Sequence, residues 1–140
     1  MDLQHIQDAV AKGVKSIPLL ANLPVFSEDV GNIVENVQRE IAQTCFCVVV
    51  GSAQFTDKTP DSMLCHGTAR IVITVFEAPH LNRAKSGRPT YLAAAQAIAK
   101  EMKLFDTGEG LLVTKSISAP DDLGGGVVSC DVSFEIETTL

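Results

Sequence analysis

No apolar run in this chain of 140 residues approaches the ~20 that a membrane-spanning helix needs. The opening residues, MDLQHIQDAVAKG, lack the basic stretch and apolar segment of a signal peptide. The expectation is a protein made and kept in the cytoplasm, and one assembled there into a larger particle would read the same way. Catalytic signatures are missing as well. There is no G-x-S-x-G elbow, P-loop or G-x-G-x-x-G, and His5, His66 and His80 fall in no metal-binding spacing. Gly124-Gly125-Gly126 precedes a strand rather than a helix, so it is no phosphate cradle. Cys45-Phe46-Cys47 has no second pair at zinc spacing. Cys45, Cys47, Cys65 and Cys130 therefore read as reduced thiols serving as small apolar residues, with no metal or cofactor expected. Basic residues are absent after Lys115, where Asp121, Asp122, Asp131, Glu135 and Glu137 follow. A net charge of −6 also lacks the basic footprint that sequence-specific or duplex nucleic-acid binding requires.

What is present suits an ordinary globular domain. The apolar fraction is 46% and the charged fraction 20%, and the length suffices for one domain, residues 1–140, around a single core. No internal repeat or low-complexity tract divides it. The central stretch runs from Arg70 to Phe105. Its β-branched residues from Arg70 to Phe76 predict a strand. Glu77-Ala78-Pro79 ends that strand, because proline cannot donate to a ladder. A polar loop, HLNRAKSGRP, then gathers Arg83, Lys85 and Arg88 in an acidic protein. Pro89 and Thr90 open a helix to about Phe105, with Leu92, Ala95, Ala99 and Met102 on one stripe.

The other elements follow from periodicity. Asp2 to Lys12 forms a short helix with Leu3, Ile6 and Val10 on one side, His5 off that side, and Gly13 at its end. KSIPLLANLPVFSED is too apolar to stay in water and has no period, so it reads as an ordered loop. It either packs on its own domain or serves as a contact arm through Leu19, Leu20, Leu23 and Phe26. A second helix starts between Ser27 and Asn32, capped by Ser27, and ends near Gln43; Val30, Ile33, Val34, Val37 and Ile41 form its apolar face. Thr44 to Phe55 is a strand apolar on both faces, with Gly51 as a bulge or bend. It makes a hairpin through TDKTPDS with the strand from Met63 or Leu64 to Phe76, bent at Gly67. Leu111 to Ser118 is a third strand, and SAPDDLGGG an acidic loop. In the last strand Val128, Cys130, Val132, Phe134 and Ile136 face the core, and Ser129, Asp131, Ser133, Glu135 and Glu137 face water or a polar partner. The order α-α-β-β-α-β-β predicts a two-layer α+β domain, with a four-stranded, mainly antiparallel or mixed sheet and helices on one face.

A strand ending in Glu77-Ala78-Pro79, then Leu81-Asn82-Arg83, a basic loop with Gly87, and a helix carrying Ala95, Ile98 and Met102 resembles the tail-terminator and minor tail proteins of lambda-like long-tailed phages and prophages. The upstream Pro24-Val25-Phe26 loop and the closing strand are similar to that group too. The resemblance implies a mixed sheet flanked by helices and no enzymatic activity. It also implies a homo-oligomeric, hexameric ring in the virion tail that caps the tail tube and meets head-completion proteins. On that footing, Arg83, Lys85 and Arg88 of one subunit would face Asp121, Asp122, Asp131, Glu135 and Glu137 of the next, since a head-to-tail ring needs two complementary patches. The PLLANLPVF arm would supply the apolar contact. The basic loop can equally be solvated, and it lacks the aromatic interleaving of a nucleic-acid groove. The alternatives are a binding module unrelated to phages, and a small cytosolic enzyme or ligand-binding domain using Cys65, His66 or His80. The enzyme reading rests on fold-level analogy alone.

Overall fold

The computed structural model describes residues 2–28, 33–82 and 89–140. The chain runs α1 (Leu3–Lys15), a 3-10 turn (Pro18–Leu20), β1 (Val25–Ser27), α2 (Ile33–Thr44), β2 (Phe46–Val50), β3 (Gln54–Asp57), β4 (His66–Glu77), α3 (Pro79–Asn82), α4 (Tyr91–Glu101), β5 (Val113–Ile117), β6 (Asp121–Gly124) and β7 (Val127–Thr139). It is a mixed α+β domain. The sheet has seven strands in the order β1-β2-β4-β7-β5, with β3 also paired to β4 and β6 to β7. β1 and β2 are parallel and the other pairs antiparallel. The parallel pair follows from α2, because two parallel neighbours need a crossover between them.

The expected four-stranded sheet is thus enlarged by three short strands. β1 comes from the segment read as a loop or arm, and β6 from the acidic glycine-rich stretch read as a loop. Gly124, Gly125 and Gly126 all have positive φ and turn β6 tightly into β7. β3 is the far half of the strand expected over Thr44 to Phe55. Gly51 divides it: Val50 pairs with Ile73 and Gln54 with Arg70, so residues 51–53 stand opposite only 71 and 72. This is a bulge, and a side chain at Gly51 would meet the Val72 carbonyl at 2.8 Å.

Helices cover both faces, which corrects the one-sided arrangement. α1 and α4 supply Ile6, Val10, Val14, Ala95, Ile98 and Met102 to a core with Phe46, Val48, Ile71, Ile73, Val132 and Phe134. Gln7 is buried in α1 and donates to the Val50 and Glu28 carbonyls at 3.1 and 3.3 Å, satisfying the ends of the β1–β2 pair. Cys47, Val49, Thr74 and Phe76 alternate with those core positions and face the other way, where α2 lies; Val37 lines a shared depression with Val49, Thr74 and Phe76. No helix among the described residues is long and apolar enough to cross a membrane.

Several boundaries move for physical reasons. α1 continues through Gly13 to Lys15. A Cβ at Gly13 would sit 2.8–2.9 Å from Phe105 and Met102, so this glycine permits close packing rather than stopping the helix. Asp2 caps α1, its carboxylate accepting from the Gln4 N–H at 2.9 Å. Pro79 opens the single turn α3, so the polar loop begins as a helix. Thr90 caps α4 through the Ala93 N–H at 3.1 Å, and the helix ends at Glu101, short of Phe105. Its buried residues are Ala94, Ala95 and Ile98, while Leu92 is 46% exposed and leaves the expected stripe. Ser27 ends β1, and the expected start of α2 at residues 29–32 lies outside the described residues.

β7 faces its apolar residues inward as expected. Its other face is not simply wet, since Ser129 and Ser133 are buried. A strand flanked by β4 on one side and by β5 and β6 on the other is central to the sheet.

Candidate assembly interface

Two of the motif residues meet in a buried hydrogen-bond cluster. Glu77, the last residue of β4, is 1% exposed. One of its carboxylate oxygens accepts from the Tyr91 N–H at 3.1 Å, at the first turn of α4, where the helix dipole favours an anion. The other accepts from the Asn82 side-chain amide. The same Asn82 Nδ2 donates to the Pro89 carbonyl at 3.0 Å. Asn82 and Pro89 are both buried, so this cluster ties together the two ends of the basic segment. Pro79 positions it by starting the turn that carries Asn82. Arg83, Lys85 and Arg88 themselves lie outside the described residues.

The acidic residues do not form one patch. Asp121 and Asp122 are exposed on β6, opposite Ser129 and Val128. Asp131 accepts from the Thr74 hydroxyl at 2.7 Å. Glu135 pairs with Lys115 at 3.6 Å and Glu137 with Lys58 at 3.5 Å. These last two charges are answered inside the chain, although such exposed pairs contribute only about 0–1 kcal/mol each. The proposed apolar arm is also redistributed. Leu20 is buried in the core, Leu23 packs against it, Phe26 is half-buried in β1, and Leu19 alone is exposed. This segment is part of the domain, which is the plainer of its two readings.

One apolar surface feature is a groove that periodicity alone could not place. Val34, Val37 and Ile41 of α2 face Phe76, Leu123 and Val127 across an open groove of about 450 Å³. The apolar stripe of α2 was legible, but none of its described residues is fully buried, and Val34 is 65% exposed. A helix stripe predicts an apolar partner. Here the sheet supplies only part of it.

Of the residues of the enzyme reading, His80 is kept apart from Cys65 and His66. Cys65 and His66 stand at the start of β4 and His80 beyond its end. Twelve strand residues at about 3.3 Å each separate them by roughly 40 Å. The His66 ring nitrogen instead meets the Thr139 hydroxyl at 2.8 Å. Among the described residues no three His, Cys, Asp or Glu side chains converge as metal ligands.

Cys45, Cys47 and Cys130 are buried and Cys65 is exposed. Burial, and then the nearby charge of Glu40, push the Cys47 thiol up to about 12. Burial also raises Cys130, with Asp131 adding to the rise and a hydrogen bond to Ser118 opposing it. Native alkylation at pH 8 is expected to label Cys65 alone, with all four thiols reacting in denaturant; this is read by intact mass. Because the folded pKa of Cys47 exceeds its unfolded value, its contribution to stability is complete below about pH 9 and lost as pH climbs toward 12. Cys47→Ala should flatten that alkaline decline in urea-unfolding curves.

The fold and surface thus define a mixed-sheet domain with an apolar groove and a buried Glu77–Asn82 cluster before α4. Among solved structures, the chain is similar to a chain from the virion of a native gene transfer agent particle. The TM-score is 0.63 at 17% sequence identity, over 96% of this chain and 94% of that one. The two share a fold along nearly their whole lengths. No protein-family model matches the chain, and no curated protein does.

Proposed function

We propose that this chain is a structural subunit of a phage-like particle and, more narrowly, a tail terminator. In this reading it performs no catalysis and binds no cofactor. It assembles in the host cytoplasm, closes as a hexameric ring on the end of the tail tube, and presents a face to a head-completion protein. The virion location is the tail. The observation that carries the reading is the shared fold with a chain of a gene transfer agent virion, nearly end to end. The Glu77–Asn82 cluster joins two residues of the stretch on which the resemblance to tail terminators rests.

The test uses the purified chain, alone and mixed with a phage-type tail tube protein from the same genome. Light scattering is expected to give a mass of about six chains, either free or once tubes are added, and negative-stain images should show a ring at one tube end. A chain that stays monomeric and leaves tube ends bare would sink the proposal.

A further inference from the structure

We propose that the α2 groove receives the lysine-rich corner of a second copy of this chain, giving a head-to-tail contact. The inference rests on the ring reading above and supplies its interface. Lys12 and Lys15 lie in the last turn of α1, and Lys100 in the last turn of α4, with Lys103 just beyond. These helix ends pack together, since Gly13 faces Phe105 and Met102. All four lysines are exposed, and none has an ion pair among the described residues. Two exposed leucines follow them in the chain, Leu19 at 45% after Lys15 and Leu104 at 60% after Lys103. Asp8, Glu101 and Asp106 are the acids nearest these four lysines in the chain, which leaves the corner net positive.

Leu104 is held out by strained backbone. Its φ is +61°, in the left-handed region that bulky side chains avoid. Its N–H is fixed to the Leu112 carbonyl at 2.8 Å. The exposed side chain adds little apolar burial to the isolated chain, and strained backbone of this kind recurs at functional sites.

The groove is the complement. It is apolar at its floor, through Val37, Ile41, Phe76 and Val127. Acids stand beside it: Asp121, two residues before the exposed Leu123, lies opposite Ser129 on the groove face of the sheet, and Glu35 follows the exposed Val34. Apolar residues flanked by acids therefore match apolar residues flanked by lysines, and such complementarity fixes register and partner choice. The two surfaces cannot meet within one chain. α1 and α4 lie on the core face of the sheet, and the groove lies on the other face beside Phe76. They also sit toward opposite ends of β7. The groove adjoins Val127, while the loop after α4 leads into Val113, the partner of Glu135. A pair of unlike patches on opposite sides generates rings or filaments.

Sedimentation of the full chain at low salt tests this. Asp121→Lys with Glu35→Lys should raise the dissociation constant about tenfold or more, as should Lys100→Glu with Lys103→Glu, and association should weaken with added salt. Combining all four substitutions in one chain should restore association, which a general loss of folding could not do. Leu104→Gly relieves the backbone strain, so it should keep the fold and still weaken association. A wild-type oligomer indifferent to both charge reversals overturns this pairing and leaves the ring reading standing. A reversal at Asp121 and Glu35 that blocks only tail tube binding assigns the groove to that protein and overturns the pairing. A short duplex DNA that competes for the lysines would do the same. A wild-type chain monomeric with and without tail tube protein overturns the ring and the pairing together.

Discussion

Replacing Phe134 with alanine is expected to lower the unfolding free energy by about 3–5 kcal/mol. Phe134 has no exposed surface. It sits midway along β7, opposite Ile71 on β4 and Thr114 on β5. Its cluster includes Ile98 and Met102 from α4 and Leu112 from the segment that leads into β5. Truncation removes the ring and leaves a cavity walled by two neighbouring strands and a helix. Strands paired on both sides cannot close in on a void, so the cavity cost adds to the lost transfer energy. Leu92→Ala is the control. That residue is 46% exposed, and its loss should cost within about 0.5 kcal/mol. Urea unfolding at constant m reads both changes. A loss for Phe134 no larger than the control's would place β7 outside the core.

The sequence made β7 legible because five apolar residues alternate without interruption, and a one-residue slip would expose all of them. β4 and the buried side of α1 were legible for similar reasons. The missed strands share a different cause. β1, β3 and β6 have three or four residues each, too few for a period to show. Their pairing comes from the neighbour's free edge rather than from their own pattern. Asp121 and Asp122 lie in β6 because β7 offers a ladder and three glycines make the turn. β-propensity of this kind is set by context.

The surface was less legible than the core. Lys12 and Lys100 are far apart in the chain and look like ordinary helix-end lysines, which favour the dipole in any protein. They become one corner only after α1 and α4 pack on the same face. The α2 stripe gave the opposite difficulty. Its period announces an apolar partner, yet says nothing of whether that partner is this sheet or another molecule. Glu77 was read as a residue that ends a strand. That it is buried follows from its position at the end of a central strand, on the same side as Val75.

Glu77→Ala should destabilise the protein by about 2–4 kcal/mol, the cost of leaving two donors without their acceptor. The carboxylate serves two donors from different elements, the Tyr91 N–H and the Asn82 amide. Glu77→Gln should cost less, about 1–3 kcal/mol, because one of the two oxygens becomes an amide that cannot accept. Asn82 cannot turn over freely to compensate. Its nitrogen also donates to the Pro89 carbonyl, and a flipped amide would set oxygen against oxygen there. Asn82→Ala breaks the same cluster from the other side, so the Glu77 and Asn82 losses should be strongly non-additive in a double-mutant cycle. Hydrogen exchange gives a local readout: the Tyr91 amide should lose protection in both single variants. The clamp also joins the two residues that flank the basic segment, Asn82 and Pro89. Under the tail-terminator proposal, Glu77→Gln should therefore weaken ring or tube binding at temperatures where the fold persists. Full protection of the Tyr91 amide in Glu77→Ala, with unfolding unchanged, would mean that the cluster contributes nothing to holding β4, α3 and α4 together.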